Sequence, residues 1–282
     1  MRKVLIPTDF SRNAWDAIAY AVDLFQYVPC QFYILNVYNL GNIASDNLMV
    51  PQLDASLLDT FKERSDKGLE RILQRLSFRD ENNQHSFITL SQQNELLEAL
   101  KEIVELKDID LIVMGTKGDT DAFNVAFGSN TILVMEKIRN CPVLAIPKDT
   151  LFSPISEIVF PTSFKTHFKK RELDYLLDLA KISNAAIRVL HVESDMVLSE
   201  TQRNYKSLLE EYFDCIELSF HYLETSDLSD GVALFVQSRS SGMIAFINKK
   251  HTIFSSLFSK PLVKELGLYS KVPVLALHDF RN

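Results

Sequence analysis

Three of the chain's eight glycines fall within one short stretch, "VMGTKGDTDAFNVAFGSN", running from Val113 to Asn130. Gly115, Gly118 and Gly128 are separated by two residues and then by nine, and Ser129 follows the last directly. Glycine has no Cβ, so backbone at these positions can approach the oxygens of a phosphate chain. The stretch begins as a strand ends, and "SNTILVMEKI" behind it has the pattern of a helix around Thr131 to Ile138. Gly128 and Ser129 therefore stand at a helix N-terminus, where free N–H groups and the helix dipole favour an anion. The hydroxyls of Ser129 and Thr131, the amide of Asn130 and the ammonium of Lys117 add donors. The competing reading is that Gly128 and Ser129 only turn the chain and cap a helix. The spacing is neither a P-loop nor the dinucleotide-binding glycine fingerprint.

Other reactive residue types form no constellation. The six histidines (85, 167, 191, 221, 251 and 278) contain no short metal-spaced pair. There is no G-x-S-x-G elbow and no H-E-x-x-H, so dedicated catalysis finds no support. His191 reads as a structural residue at a strand end. The charge-dense run "DTFKERSDKGLERILQRL" reads as a solvated helix face, with Glu63 and Lys67 at i,i+4 spacing.

The elements that position the glycine loop are written twice in the chain. "KVLIPTDFS" (Lys3 to Ser11) returns as "EIVFPTSFK" (Glu157 to Lys165), 154 positions later. "ILNVY" returns as "VLHVE" after 155, "LIVMGTK" as "MIAFINK" after 132, and "CPVLAIP" as "VPVLALH" after 131. Such ordered self-similarity identifies two tandem copies of one domain. The boundaries are 1–148 and 155–282, with "KDTLFSPIS" between them as the linker. In each copy, short apolar runs without alternation interleave with helical patterns. The first helix carries Ala14, Ile18, Ala21, Val22 and Phe25, and the long charged one carries Leu58, Phe61, Leu69, Ile72 and Leu76. Buried strands alternating with helices indicate an α/β fold with a doubly wound parallel sheet. Such sheets bind ligands at the carboxyl ends of their strands, which brings the glycine loop beside the first strand's end and its Asp9.

Composition agrees with a globular protein. The chain has 282 residues, 46% of them hydrophobic and 24% charged, and no apolar run long enough to cross a bilayer. The start "MRKVLIPTD" lacks the apolar core of a signal peptide. The net charge of −7 divides into −5 over residues 1–148 (15 basic, 20 acidic) and −2 over the rest (15 basic, 17 acidic). With no basic block, nucleic acid is not the expected partner. Three widely spaced cysteines, Cys30, Cys141 and Cys215, read as reduced, buried thiols of a cytoplasmic protein.

The opening "VLIPTDFS", the strand "YILNVY", the G-x2-G-x9-G-S loop and the closing "CPVLAIP" together resemble the universal stress protein family, in its tandem form. That resemblance implies five-stranded parallel sheets of order 3-2-1-4-5, Rossmann-like and similar to the adenine nucleotide alpha hydrolases. It implies dimerisation through the last strand, here satisfied within the chain as a pseudo-dimer and compatible with a further homodimer. It also implies ATP at the glycine loop, with Mg2+ or Mn2+ as an accompanying ion. Gly115, Gly118, Gly128, Ser129 and Asn130, with Lys117, would then embrace the phosphates of ATP or ADP. Pro7, Thr8 and Asp9 would lie against the adenosine, Val37 would meet the base through its backbone, and Met114 would pack near it. Two bland roles stay open: Asp9 as the cap of a helix beginning near Asn13, and Val37 and Met114 as core residues. Asp119 and Asp121 depart from the pattern by placing negative charge after Gly118.

In the second copy Ile247 stands at the position of Gly115, Lys250 at that of Gly118, and Lys260-Pro261 at that of Gly128-Ser129. Ser163 replaces Asp9. Side chains at former glycines obstruct phosphate, and a proline removes an N–H donor. The second copy is therefore expected to keep the fold without the site, its replacement loop carrying Ile253, Phe254, Leu257 and Phe258. The expected function is an ATP-binding stress-response regulator acting through an unknown protein partner. A weak metal-dependent ATPase and a nucleotide-free interaction module are the alternatives.

Overall fold

The architecture is that of a computed structural model describing residues 1–39, 55–116, 128–193, 197–225, 227–248 and 271–278. Lys117, Gly118, Asp119 and Asp121 lie outside the described residues, as do Lys250, Lys260, Pro261 and the apolar residues of the replacement loop. Described in the first half are β1 (Arg2–Pro7), α1 (Arg12–Leu24), β2 (Cys30–Tyr38), α2 (Ala55–Arg79) and β3 (His85–Gln93). They are followed by α3 (Leu96–Lys107), β4 (Leu111–Gly115), α4 (Ser129–Lys137) and β5 (Val143–Ile146). The second half repeats the series as β6 (Glu157–Pro161), α5 (Lys170–Ser183), β7 (Ala186–Glu193), α6 (Glu200–Tyr212) and β8 (Leu218–Glu224). It continues with α7 (Leu228–Arg239), β9 (Met243–Asn248) and β10 (Val274–His278). Helix α4 begins two residues ahead of the sequence-based expectation.

The ten strands among the described residues form one sheet, ordered β3-β2-β1-β4-β5-β10-β9-β6-β7-β8. Within each half every pairing is parallel and the order is 3-2-1-4-5. The two fives meet where β5 and β10 pair antiparallel: Val143 opposite Ala276, Leu144 opposite Leu275, Ala145 opposite Val274. Leu144 and Leu275 are equivalents in the internal repeat, so a local two-fold axis passes between them. The pseudo-dimer is thus built into one chain.

Successive residues of each strand point to opposite faces. Val4 and Ile6 enter one core with residues of α1, α2, α5 and α6, whereas Leu5 enters the other with residues of α3, α4 and α7. Both cores run unbroken across the two halves. This two-sided burial is why the strands lack alternation, and each buried aliphatic side chain contributes about 1.5–3 kcal/mol. Helix α1 forms because its apolar residues recur on one face and Ser11 caps it, the hydroxyl accepting from Ala14 N–H at 3.2 Å.

The connecting stretch 148–156 holds no helix or strand, yet it is packed. Phe152 meets Tyr20 edge-on at 5.3 Å, and Ile155 is buried beside Gly242. Further ties between halves are the Arg2–Asp178 ion pair, a bond from Arg139 to the carbonyl of Asn248, and one from Asn248 Nδ2 to the carbonyl of Met135 at 2.8 Å.

The thiols differ in part from expectation. All three are free, and Cys30 and Cys141 are buried, with burial pushing the Cys30 thiol up to about 12. Cys215, however, is exposed, because it sits in the turn between α6 and the edge strand β8. Among the described residues no helix is long and apolar enough to cross a membrane.

At the amino ends of the second half's strands, away from the glycine loop, Glu157 is only 6% exposed. Its carboxylate accepts from Arg188 Nε at 3.0 Å, Arg239 Nε at 3.0 Å, Arg239 Nη2 at 2.9 Å and Ser241 Oγ at 2.6 Å. Burial alone would raise its pKa. The bonds from Arg239, Ser241 and Arg188 outweigh that and hold it down at about 2, against an ordinary value of 4.5. A pKa depressed by folding stabilises fully above the unfolded value and loses that contribution as pH falls through the folded one. We therefore expect Glu157→Gln to cost about 2–3 kcal/mol at pH 7 in urea unfolding. The deficit should shrink as pH falls from 4.5 towards 2, and an equal deficit at pH 3 and pH 7 would contradict this account.

Candidate functional site

The end of β1 is turned sharply by a set of local bonds. Thr8 N–H donates to the Leu35 carbonyl at 2.8 Å, which keeps β1 against β2 to its last residue. The Thr8 hydroxyl accepts from Phe10 N–H at 3.0 Å, and Asp9 Oδ1 accepts from Ser11 N–H at 3.0 Å. Phe10 takes a left-handed φ of 68°, uncommon for a bulky residue. From β2, the buried Asn36 donates Nδ2–H to the Thr8 carbonyl at 2.7 Å and so clasps the turn. The cap of α1 is Ser11, so Asp9 does not fill the capping role that the sequence left open for it.

Across the sheet's switch point, β4 ends at Gly115 and α4 begins at Ser129. A Cβ on Gly115 would stand 2.7 Å from Asn13 Nδ2 and 2.9 Å from the Asn13 carbonyl, so the glycine lets the start of α1 lie against β4. Gly128 N–H donates to the Thr116 carbonyl, and the Thr131 hydroxyl donates to the Gly115 carbonyl at 2.9 Å. These bonds pin the first turn of α4 to the end of β4. Gly128 is the N-cap residue and offers no side-chain cap, and the first turn holds no acidic residue. A helix start of this kind presents backbone N–H groups that no intrahelical carbonyl takes up.

Between these parts lies a cavity of about 490 Å³ at the carboxyl ends of β1, β2 and β4. Nine of the eleven residues expected from the sequence line it: Pro7, Thr8, Asp9, Val37, Met114, Gly115, Gly128, Ser129 and Asn130. Lys117 and Gly118 belong to the undescribed part of the loop. The structure adds walls that the sequence did not reveal. Phe61, Arg64 and Ser65 come from α2, Asn36 from β2, Phe10 from the β1 turn, and Asn94 and Glu95 precede α3. Arg64 belongs to the run read as a solvated face. That reading was right for Glu63 and Lys67, which pair at 3.1 Å, but the same helix also buries Ser65 and brings the exposed Arg64 to the cavity's edge. Asn36 had a usable signal, since the repeat aligns it with His191.

The second half builds the same turn. Thr162 N–H donates to the Leu190 carbonyl at 2.9 Å, the Thr162 hydroxyl accepts from Phe164 N–H at 3.1 Å, and Ser163 Oγ accepts from Lys165 N–H at 3.3 Å. Phe164 has φ 55°, and His191 Nδ1–H donates to the Thr162 carbonyl at 3.0 Å, as Asn36 does to Thr8. The space above the turn differs. Phe164 stacks on His191 with centroids 5.2 Å apart, Tyr222 meets His191 at 5.9 Å, and Phe220 lies 6.2 Å from Phe164. Sheet register equates His191, Phe220 and Tyr222 with Asn36, Thr89 and Ser91. Three rings thus stand where the first half has small polar side chains. Register likewise places Ile247 opposite Leu277 as Gly115 is opposite Ile146, and α5 starts only at Lys170, whereas the 154-residue shift puts its start at 166.

A sequence model described as the universal stress protein family matches residues 1–147. Over 147 residues the chain is 25% identical to a universal stress protein of Methanocaldococcus jannaschii, covering 52% of this chain and 82% of that one. Among solved structures, a universal stress protein from Archaeoglobus fulgidus superposes with a TM-score of 0.71 at 16% identity, covering 98% of this chain and 96% of that chain. A putative universal stress protein from Pseudomonas aeruginosa gives 0.60 at 12% identity, covering 99% and 93%. These two likenesses reach across both halves and concern the fold. A repeated doubly wound sheet with a cavity at its switch point defines an α/β protein of two tandem halves. The chain belongs to the universal stress protein family.

The contact at Gly115 makes a direct prediction. Gly115→Ala should lower stability by about 1–3 kcal/mol, because the added methyl meets a backbone carbonyl that cannot rotate away. Urea unfolding would measure it, and an unchanged midpoint would mean that the close approach of α1 is not required.

Proposed function

We propose that this chain is an adenine-nucleotide-binding regulatory protein of the stress response, cytoplasmic, with ATP or ADP held by a first domain (1–148). The second domain (155–282) acts as its built-in partner and has given up the site. The observation that carries the reading is the cavity itself: it joins an apolar side to a donor-rich side at the switch point. Leu35, Val37, Met114 and Phe61 suit a base, and Asp9 suits the hydroxyls of a ribose. The N-terminal amides of α4, with Ser129, Asn130 and Arg64, suit phosphate oxygens. The volume of about 490 Å³ falls in the range of small-ligand pockets. Pro7, Thr8, Asp9, Val37, Met114, Gly115, Lys117, Gly118, Gly128, Ser129 and Asn130 are the proposed nucleotide contacts. Mg2+ or Mn2+ would enter with the phosphates, and signalling would run through a protein partner that recognises the loaded form.

Purified protein, denatured and analysed by mass spectrometry, should release about one ATP or ADP per chain. No released nucleotide, together with no heat on titration with millimolar MgATP, would overturn the proposal. Metal-dependent phosphate release that disappears in Asp9→Asn would recast the protein as a slow ATPase. The aromatic filling of the second half supplies a sharper test. Asn36→His combined with Ser91→Tyr should leave the protein folded by circular dichroism and weaken MgATP at least about tenfold, since the rings take the ligand's space. Unchanged affinity would place the ligand elsewhere.

A further inference from the structure

Helix α2 carries a glycine, Gly68, inside its 25 residues, where glycine is the poorest helix former after proline. The structure gives a steric reason. A Cβ at Gly68 would lie 2.3, 2.5 and 2.7 Å from three ring atoms of Phe10, so the ring is seated in the notch that the missing side chain leaves. Phe10 lines the cavity from this seat and remains 36% exposed. Its counterpart Phe164 leaves the same kind of turn with nearly the same backbone, φ 55° against 68°. That ring is 1% exposed and stacks on His191, the equivalent of Asn36, whereas the Phe10 ring rests against Gly68 of α2. The two turns thus give their phenylalanines different neighbours: the second-strand side chain His191 for Phe164, and the helix α2 for Phe10.

We propose that Gly68 is a positioning residue that keeps the first-half cavity open by holding the Phe10 ring out of it. This rests on the nucleotide reading of the cavity, and it adds that ligand entry depends on a residue with no ligand contact of its own. If the notch is filled, the ring must leave α2. The open direction is the space above Asn36, the equivalent of Phe164 above His191, and a ring there occupies the ligand's volume. Alanine favours a helix over glycine, so Gly68→Ala should fold.

Two measurements decide the matter. The first is a crystal structure of nucleotide-free Gly68→Ala: the Phe10 ring should lie over Asn36, and a ring still resting on α2 overturns the proposal. The second is calorimetric titration of MgATP into wild type, Gly68→Ala, Phe10→Ala and the double variant. Gly68→Ala should bind at least about tenfold more weakly than wild type, and the double variant should match Phe10→Ala within about twofold. Wild-type affinity in Gly68→Ala, or a double variant much weaker than Phe10→Ala, overturns the proposal. If wild type itself takes up no MgATP, the nucleotide reading fails, while the ring position in the crystal still decides whether the notch holds Phe10.

Discussion

The structure depends on the antiparallel pairing of β5 with β10. Each half ends in a strand whose outer edge would otherwise present unpaired N–H and C=O groups. Joining the two edges satisfies both and turns two five-stranded sheets into one of ten. Because Leu144 meets its own repeat equivalent, Leu275, the contact is that of a two-fold dimer enclosed in one chain. The cores on both faces then run through without a break, so neither half is an independent body of apolar surface.

This pairing explains how the second half can differ at its strand ends and still complete the sheet and both cores. What the second half contributes at the centre is β10, the cores and the clamp around Glu157, and these lie apart from the strand ends where the cavity forms in the first half. The turn after the first strand is kept in both halves by the same bonds, a threonine to its neighbour and a second-strand side chain to the threonine carbonyl. That turn is therefore part of the framework. The halves diverge at the next layer out, where His191, Phe220 and Tyr222 put rings at the positions of Asn36, Thr89 and Ser91. The stacked rings of Phe164 and His191 are buried in the second half, where the first half has its cavity. The first turn of α4, which has no side-chain cap, lines that cavity through Ser129, Asn130 and Thr131.

Much of this was legible in the sequence because it is periodic or repeated. Two tandem copies, strands without alternation and a helix behind the third glycine each follow from local spacing, and sheet order came with the family resemblance. Pro7 to Asp9 and Gly128 to Asn130 could be named because they lie at strand and helix ends, where a doubly wound sheet collects its ligand contacts. Cys215 shows the limit: residue type suggested a buried thiol, but a turn beside an edge strand leaves it in solvent.

The sequence by itself determined the repeat, the α/β class and which half keeps the glycines, since these depend on residue type and spacing along one chain. Only the tertiary structure decided that Arg64 and Ser65 line the cavity, that the second half stacks rings at the corresponding positions, and that Gly68 is a seat for Phe10. The physical reason is common to all three. Each depends on the distance between side chains from elements far apart in sequence, and that distance is set by how a helix lies on the sheet, which spacing along the chain does not encode.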